Sequence, residues 1–402
     1  MRSTMARSLT LLMMLAAGLV AAACTPGEPR AVAVPTASPP PVVPIVIGAI
    51  LDVGRDAGPD GRQRYEAAML AVDLVNHRGG LRLPSGERRP LQLVLYDDAG
   101  RPERAEPALL RLVEDGAVAV IGPSTPAATS VARRAAESAS LPLIALSEMD
   151  GDPTGRWRWT FSMMVPPEEA LAATIDFFAA SGVDRLAWLA PRTMDATVLQ
   201  RTFSRLTSAA QMQIVGDERY APGDEDQTER LARLQQGNPR VILAWPRDAQ
   251  EAAQIARDSA QVRDLAPVFL GPAASDPTTL ELAGDRAATV RTVTLRLPVS
   301  DDLWDHDALT PVIRDFRREL RARTGREATS EAAAAWDAVR LLIDTIEFHG
   351  PSRVAIRDGL EGTADYLGAT GTISFSERSH DGLDRRALIV ARSEGRRWRL
   401  PP

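Results

Sequence analysis

The sequence contains no lysine; its 47 basic residues are all arginine. Schiff-base chemistry on a lysine amine and a Walker-type phosphate loop are therefore excluded. Cysteine is nearly absent too. The single Cys24 rules out an intrachain disulfide and a cysteine metal cluster. The histidines His77, His306, His349 and His380 are scattered without ligand spacing and read as solvated surface residues. No Gly-x-Ser-x-Gly elbow, His-Glu-x-x-His pair or Gly-x-Gly-x-x-Gly fingerprint occurs, and Gly54, Gly58 and Gly61 have the wrong spacing for a dinucleotide loop. Basic excess is missing as well: the net charge of −6 argues against a nucleic-acid partner. The expectation is a protein without catalysis, cofactor or metal. The carboxylate pairs Asp97-Asp98 and Asp301-Asp302, and the Asp150-Gly151-Asp152 stretch, read as turns.

What is present begins with an address. Arg2 and Arg7 precede an apolar run, Leu9 to Val20, that is too short to span a bilayer. Ala21-Ala22-Ala23 then leads to Cys24, the pattern of a bacterial lipoprotein signal. Residues 1–23 read as a signal peptide and Cys24 as the lipidated N-terminus, holding the protein to a membrane on its periplasmic or cell-surface side. An ordinary signal-peptidase site at Ala21-x-Ala23 is the competing reading. Pro26, Pro29, Pro35, Pro39, Pro40, Pro41 and Pro44 make residues 24–44 an extended tether.

The remaining body alternates strands with helices. Ile45 to Leu51 is a continuous apolar run, as a strand buried on both faces requires. Strands follow at Leu91–Tyr96, Val118–Ile121, Leu143–Leu146, Arg185–Leu189, Gln213–Val215, Val241–Ala244 and Val268–Leu270, separated by helical periods. Gln63–His77 stops at Gly79-Gly80, Pro102–Glu114 carries proline in its first turn, and a further helix is expected near Thr197–Ala209. Late helices are expected at Pro311–Arg323, Ser330–Phe348 and Arg353–Leu360, followed by extended pieces at Thr372–Phe375 and Leu388–Ala391. The fold class is α/β, with doubly wound parallel sheets. A chain of 402 residues favours two such bodies.

The order of these pieces resembles the periplasmic leucine/isoleucine/valine-binding family, the type I solute-binding fold. Several stretches carry the likeness: Asp73-Leu-Val-Asn76 with Gly79-Gly80; Asp97-Asp98 followed by Pro102; Gly122-Pro123-Ser124; Leu141-Pro142; Trp336-Asp337-Ala338; and Gly368-Ala-Thr-Gly371-Thr-Ile-Ser-Phe375. The resemblance implies two lobes joined by three crossings near 162–166, 295–297 and 372–374. It assigns residues 45–163 plus 297–373 to lobe 1 and 164–296 plus 374–402 to lobe 2. A ligand would bind between the lobes and close them by hinge motion. The implied function is capture of a small polar solute, amino-acid-like or bearing an amide or carboxylate, for the permease of an ABC importer.

Candidate ligand-binding residues follow from strand ends. Ser124 and Thr125 lie between a strand end and a helix start, where hydroxyls and free N–H groups hold an anion. Ser147 and Glu148 follow the fourth strand, and Glu148 would receive a cationic or hydroxylated group. Asp60 stands in the first loop, where many family members carry an aromatic. Met194 or Asp195 follows the first strand of the second lobe after a short loop, and Trp245 follows a later one as a pocket wall. Ala273 stands where the family supplies an acid for an amino group. Trp157 and Trp159, on either side of Arg158, read as one buried strand face. The departures at Asp60, Glu148 and Ala273 also suit a second class: a regulatory or scaffolding lipoprotein, for example an activator of cell-wall synthases.

Overall fold

A strand covered on both faces must be apolar on both, and β1 (Ile45–Leu51) meets that demand by alternation. Ile47, Ala49 and Leu51 enter one core, while Ile50 enters another on the opposite side. The computed structural model describes residues 43–54, 58–149, 157–285 and 289–401, with residues 58–60 by backbone alone. Cys24 and the Asp150-Gly151-Asp152 stretch lie outside the described residues. Among those described, no helix is long and apolar enough to cross a membrane.

After β1 come α1 (Gly58–His77), β2 (Leu91–Asp97), α2 (Pro102–Glu114), β3 (Ala119–Ile121), α3 (Pro126–Ala139), β4 (Leu143–Ala145) and β5 (Thr160–Ser162). The five strands form a parallel sheet of order β2-β1-β3-β4-β5. Helices α2 and α3 cover one face, through Ala105, Leu109, Leu112, Ala128, Ala132 and Ala136. On the other face α1 packs beside three later helices, α9 (Thr310–Thr324), α10 (Ser330–His349) and α11 (Arg353–Glu361).

The second sheet is built from β6 (Arg185–Pro191), β7 (Gln213–Tyr220), β8 (Val241–Ala244), β9 (Val268–Leu270), β10 (Arg291–Thr294), β11 (Ile389–Glu394) and β12 (Arg397–Arg399). Its order is β12-β11-β10-β9-β8-β6-β7; β11 and β12 run antiparallel at one edge and the rest are parallel. Helices α4 (Pro167–Ala180) and α5 (Met194–Ala209) cover one face around Trp188, Phe178, Phe203 and Phe269. Helices α6 (Thr228–Gln236), α7 (Ala249–Ser259) and α8 (Pro277–Ala283) cover the other.

The chain passes between the sheets after β5, after β10 and before β11. The third passage lies later than the expected 372–374. Phe375, Leu383 and Ala387, expected in lobe 2, are buried in the core of the first sheet. The backbone at 380–382 runs beside β5, with Ser162 N donating to His380 O (2.9 Å) and Gly382 N to Ser162 O (2.9 Å). His380 is therefore no solvated histidine. Its ring stacks on Phe161 at 4.1 Å; Nδ1 lies 2.9 Å from Thr160 O and Nε2 3.3 Å from a Glu361 oxygen.

Two of the expected solvated turns are structural instead. Asp98 is fully buried and accepts Gly100 N at 3.1 Å; burial above all, then Asp52 and Asp97, pushes its carboxyl pKa up against that hydrogen bond. Asp302 receives Arg399 (2.6 Å) and Leu400 N (3.1 Å), which pins the end of β12. Asp337 is buried inside α10 and accepts Ala369 N (2.9 Å), Thr370 N (2.8 Å) and Thr370 Oγ1 (2.6 Å), fixing the turn of the Gly368–Gly371 motif. Trp157 and Trp159 lie just before β5, beneath arginines of the same chain: Arg133 over Trp157 at 4.4 Å and Arg357 over Trp159 at 5.6 Å.

Candidate functional site

In an open parallel sheet a ligand finds the carboxyl ends of the strands where the strand order reverses. In the first sheet that reversal lies between β1 and β3, and in the second between β6 and β8. The candidate residues cluster behind these strand ends.

After β3 the chain turns at Gly122-Pro123-Ser124-Thr125. Gly122 has φ of +91°, and a Cβ there would stand 2.0 Å from Ile50 O, so no other residue fits without a backbone shift. Thr125 caps α3, its Oγ1 accepting Ala128 N at 3.4 Å. Ser124 is half-buried, and its hydroxyl has no partner among the described residues. It stands beside the α3 N-terminus, ready to donate to an anionic or carbonyl oxygen.

Ser147 does not join it. Its side chain is 5 % exposed, and its hydroxyl is shared with Thr129 Oγ1 of α3 at 2.7 Å. Thr129 also donates to Pro123 O at 3.4 Å, and Ser162 Oγ to Ser147 O at 3.4 Å. Ser147 thus ties the β3 turn, β4 and β5 together and leaves the neighbouring Glu148 to face outward.

Glu148 is exposed, yet enough protein surrounds its carboxyl group for burial to push its pKa up. The next causes of the rise are the charges of Glu168, in the first turn of α4, and Asp195, in the first turn of α5. Both helices belong to the second sheet, so Glu148 faces that half of the molecule. Asp381, beside Ser162, has its pKa raised by burial first and then by Glu168, against the opposing charge of His380. None of these four carboxylates has an arginine partner among the described residues.

Asp195 follows β6 directly, because α5 begins at Met194 and not near Thr197 as its period suggests. Thr193 caps that helix, accepting Ala196 N at 3.2 Å. On the same turn's flank is a shallow, open depression of about 510 Å³ lined by Arg192, Met194, Gln200 and Asp217 with its partner Arg219. Trp245, after β8, is half-buried and stacks on Trp188 with ring centres 6.0 Å apart. Its indole lies flat on Gly271, where a Cβ would meet the ring at 2.8 Å. Trp245 therefore has one side seated in the core. Asp60 belongs to the first turn of α1 and not to the preceding loop; its side chain lies outside the described residues. Ala273 occupies the short 3-10 turn Pro272–Ser275 after β9 and offers no acid.

Sequence reasoning missed Glu168 and Asp381. The available signal for Glu168 was its place in the first helical turn after a crossing; nothing local marks Asp381.

Two doubly wound sheets with polar strand ends at their reversal points define a solute-binding class. The chain belongs to the family described as periplasmic binding protein, whose pattern matches residues 44–396. Among solved structures it is similar to LivJ of Streptococcus pneumoniae, a branched-chain amino acid transporter substrate-binding protein in complex with isoleucine. That likeness has 20 % identity and a TM-score of 0.72, covering 89 % of this chain and 98 % of that one. It is likewise similar to the leucine-binding protein LivK of Thermotoga maritima, at 20 % identity and TM-score 0.70, over 89 % and 98 % of the two chains. A putative branched-chain amino acid ABC transporter protein of Rhodospirillum rubrum matches at 20 % identity and TM-score 0.73, over 89 % and 100 %. At these identities the likeness establishes the type I fold. No curated protein matches.

Proposed function

We propose that this protein is an extracytoplasmic solute receptor, held to a membrane by acylated Cys24, that delivers a small amino-acid-like solute carrying a cationic nitrogen to the permease of an ABC importer. The observation that carries the charge preference is Glu148, flanked by Glu168 and Asp195 with no arginine partner. Burial first, and then the charges of Glu168 and Asp195, raise the cost of ionising Glu148, and an ammonium or guanidinium placed beside it offsets that cost. Glu148 then supplies the acid that Ala273 does not. Ser124 and the α3 N-terminus hold the solute's carboxylate, and Trp245 packs its hydrocarbon part. The lobes for this reading are the two sheets with their helices, and closure brings Asp195 toward Glu148.

Thermal shift against L-arginine, L-ornithine, agmatine, L-leucine and L-glutamate tests the reading. Stabilisation follows binding by mass action, so a hundredfold excess over Kd contributes about 2.7 kcal/mol. The cationic solutes are expected to raise the transition and glutamate to leave it unchanged. Preference for leucine or glutamate would refute the charge assignment. A folded protein that binds no solute would favour a regulatory or scaffolding role.

A further inference from the structure

The end of the first sheet opposite the candidate site has a different character. Strands β1 and β2 begin there, and the chain arrives at Val43. Arg89 holds that entry, with Nε donating to Val43 O (2.8 Å) and Nη2 to Pro44 O (3.4 Å). Arg89 belongs to a two-stranded ribbon, Leu81-Arg82 paired with Arg88-Arg89, that folds back against the end of α1. Arg88 Nη1 donates to Arg78 O (3.1 Å) and Gly80 O (3.0 Å). Arg82 N donates to the Glu347 carboxylate near the end of α10 at 3.0 Å, and the next residue, Phe348, is 78 % exposed. Arg78, Arg82, Arg88, Arg89 and Phe348 therefore share one end of the lobe. Glu87, Glu347 and Asp73, the last paired with Arg323, are acids near these arginines, and none of the four arginines has a carboxylate ion-pair partner among the described residues. In a protein of net charge −6 this is a local reversal of sign.

We propose that this basic end of the first lobe, with Phe348 at its tip, rests on the anionic surface of the membrane to which the tether leads, so that the crevice faces away from the bilayer. The inference rests on the lipid-anchor reading. Arginines near a negatively charged leaflet are attracted within about a Debye length, and an exposed aromatic ring settles at the headgroup level. The tether joins the body at Val43, at this same end.

The test uses the full acylated chain reconstituted in vesicles of phosphatidylcholine, alone or mixed with phosphatidylglycerol, with brominated acyl chains as quenchers. A bimane label is placed at Ser85→Cys, on the exposed ribbon turn, or at Ser204→Cys on α5. The label at 85 is expected to be quenched at least about twofold more in mixed vesicles than in phosphatidylcholine, and the label at 204 to be unquenched in both. Adding Arg78→Glu, Arg82→Glu and Phe348→Ser should abolish the difference without moving the thermal transition. Equal quenching at 85 in both vesicle types would overturn the proposal while leaving the anchor intact. A basic face meant for an acidic protein would give that result. If the triple variant does not fold, the comparison of vesicles with the unmodified surface still decides. Protein that floats with neither vesicle type refutes the anchor reading itself, and this proposal with it.

Discussion

Asp337 offers a prediction whose sign changes with pH. Its carboxylate accepts three hydrogen bonds inside α10, yet burial pushes its pKa from 3.8 up to about 6, against those hydrogen bonds. The folded chain therefore binds a proton between these values that the unfolded chain releases. The stability this group contributes is fully present below about pH 4 and is lost as pH rises through about 6. Each tenfold change in proton affinity is worth about 1.4 kcal/mol, so the rise from 3.8 to about 6 makes a swing of about 3 kcal/mol. Asp337→Asn removes the titration. Its amide also turns a donor toward the Thr370 N–H, leaving a buried donor unpaired at a cost of about 1–3 kcal/mol. Urea unfolding of both proteins at pH 4 and pH 7.5 separates the effects. The variant should be less stable by about 1–3 kcal/mol in acid and should match or exceed the native chain at the higher pH. A penalty that does not change with pH would refute this account of the buried carboxylate.

Other outcomes follow from the site. Glu148→Gln should weaken binding of L-arginine at least about tenfold, or 1.4 kcal/mol, with unfolding unchanged, as read by calorimetry. In the native protein that affinity should fall as pH drops through the raised pKa of Glu148, because the ionised form is the one that attracts the cation. Gly122→Ala forces a Cβ against Ile50 O at a positive φ; it should cost about 2 kcal/mol or more in urea unfolding and disturb the Ser124 turn. Gly271→Ala should push Trp245 off its seat, changing indole fluorescence and solute affinity with less effect on unfolding.

Much of this fold can be read from local signals. The apolar run of β1 and the proline-initiated α2 lie where the pattern puts them, because each is fixed by its own residues. The amphipathic period places the starts of α1 and α5 too late. The first turn of α5 exposes Met194 and Asp195, so its period is silent until Ala196, and the Thr193 cap is the better marker. Strand β10 and helix α8 escape a local reading because each is short and bounded by residues common in loops. The third crossing lies later than the motif suggests, because Leu383 and Ala387 become core only through contact with residues distant in sequence. The site divides the same way. Ser124 is legible from its turn. The diversion of Ser147 to Thr129 depends on a hydrogen bond across eighteen positions of sequence. Glu168 and Asp381 enter the site through chain crossings that no local window spans.

Spin labels at Ala127→Cys on α3 and Thr197→Cys on α5 sit in the first turns of helices that belong to the two different sheets, and their dipolar distance reports the closure proposed above. Adding L-arginine or L-ornithine should shorten that distance in the native background and leave it unchanged with Glu148→Gln. A distance indifferent to every cationic solute, in a protein that remains folded, would contradict a closing crevice with Glu148 at its floor.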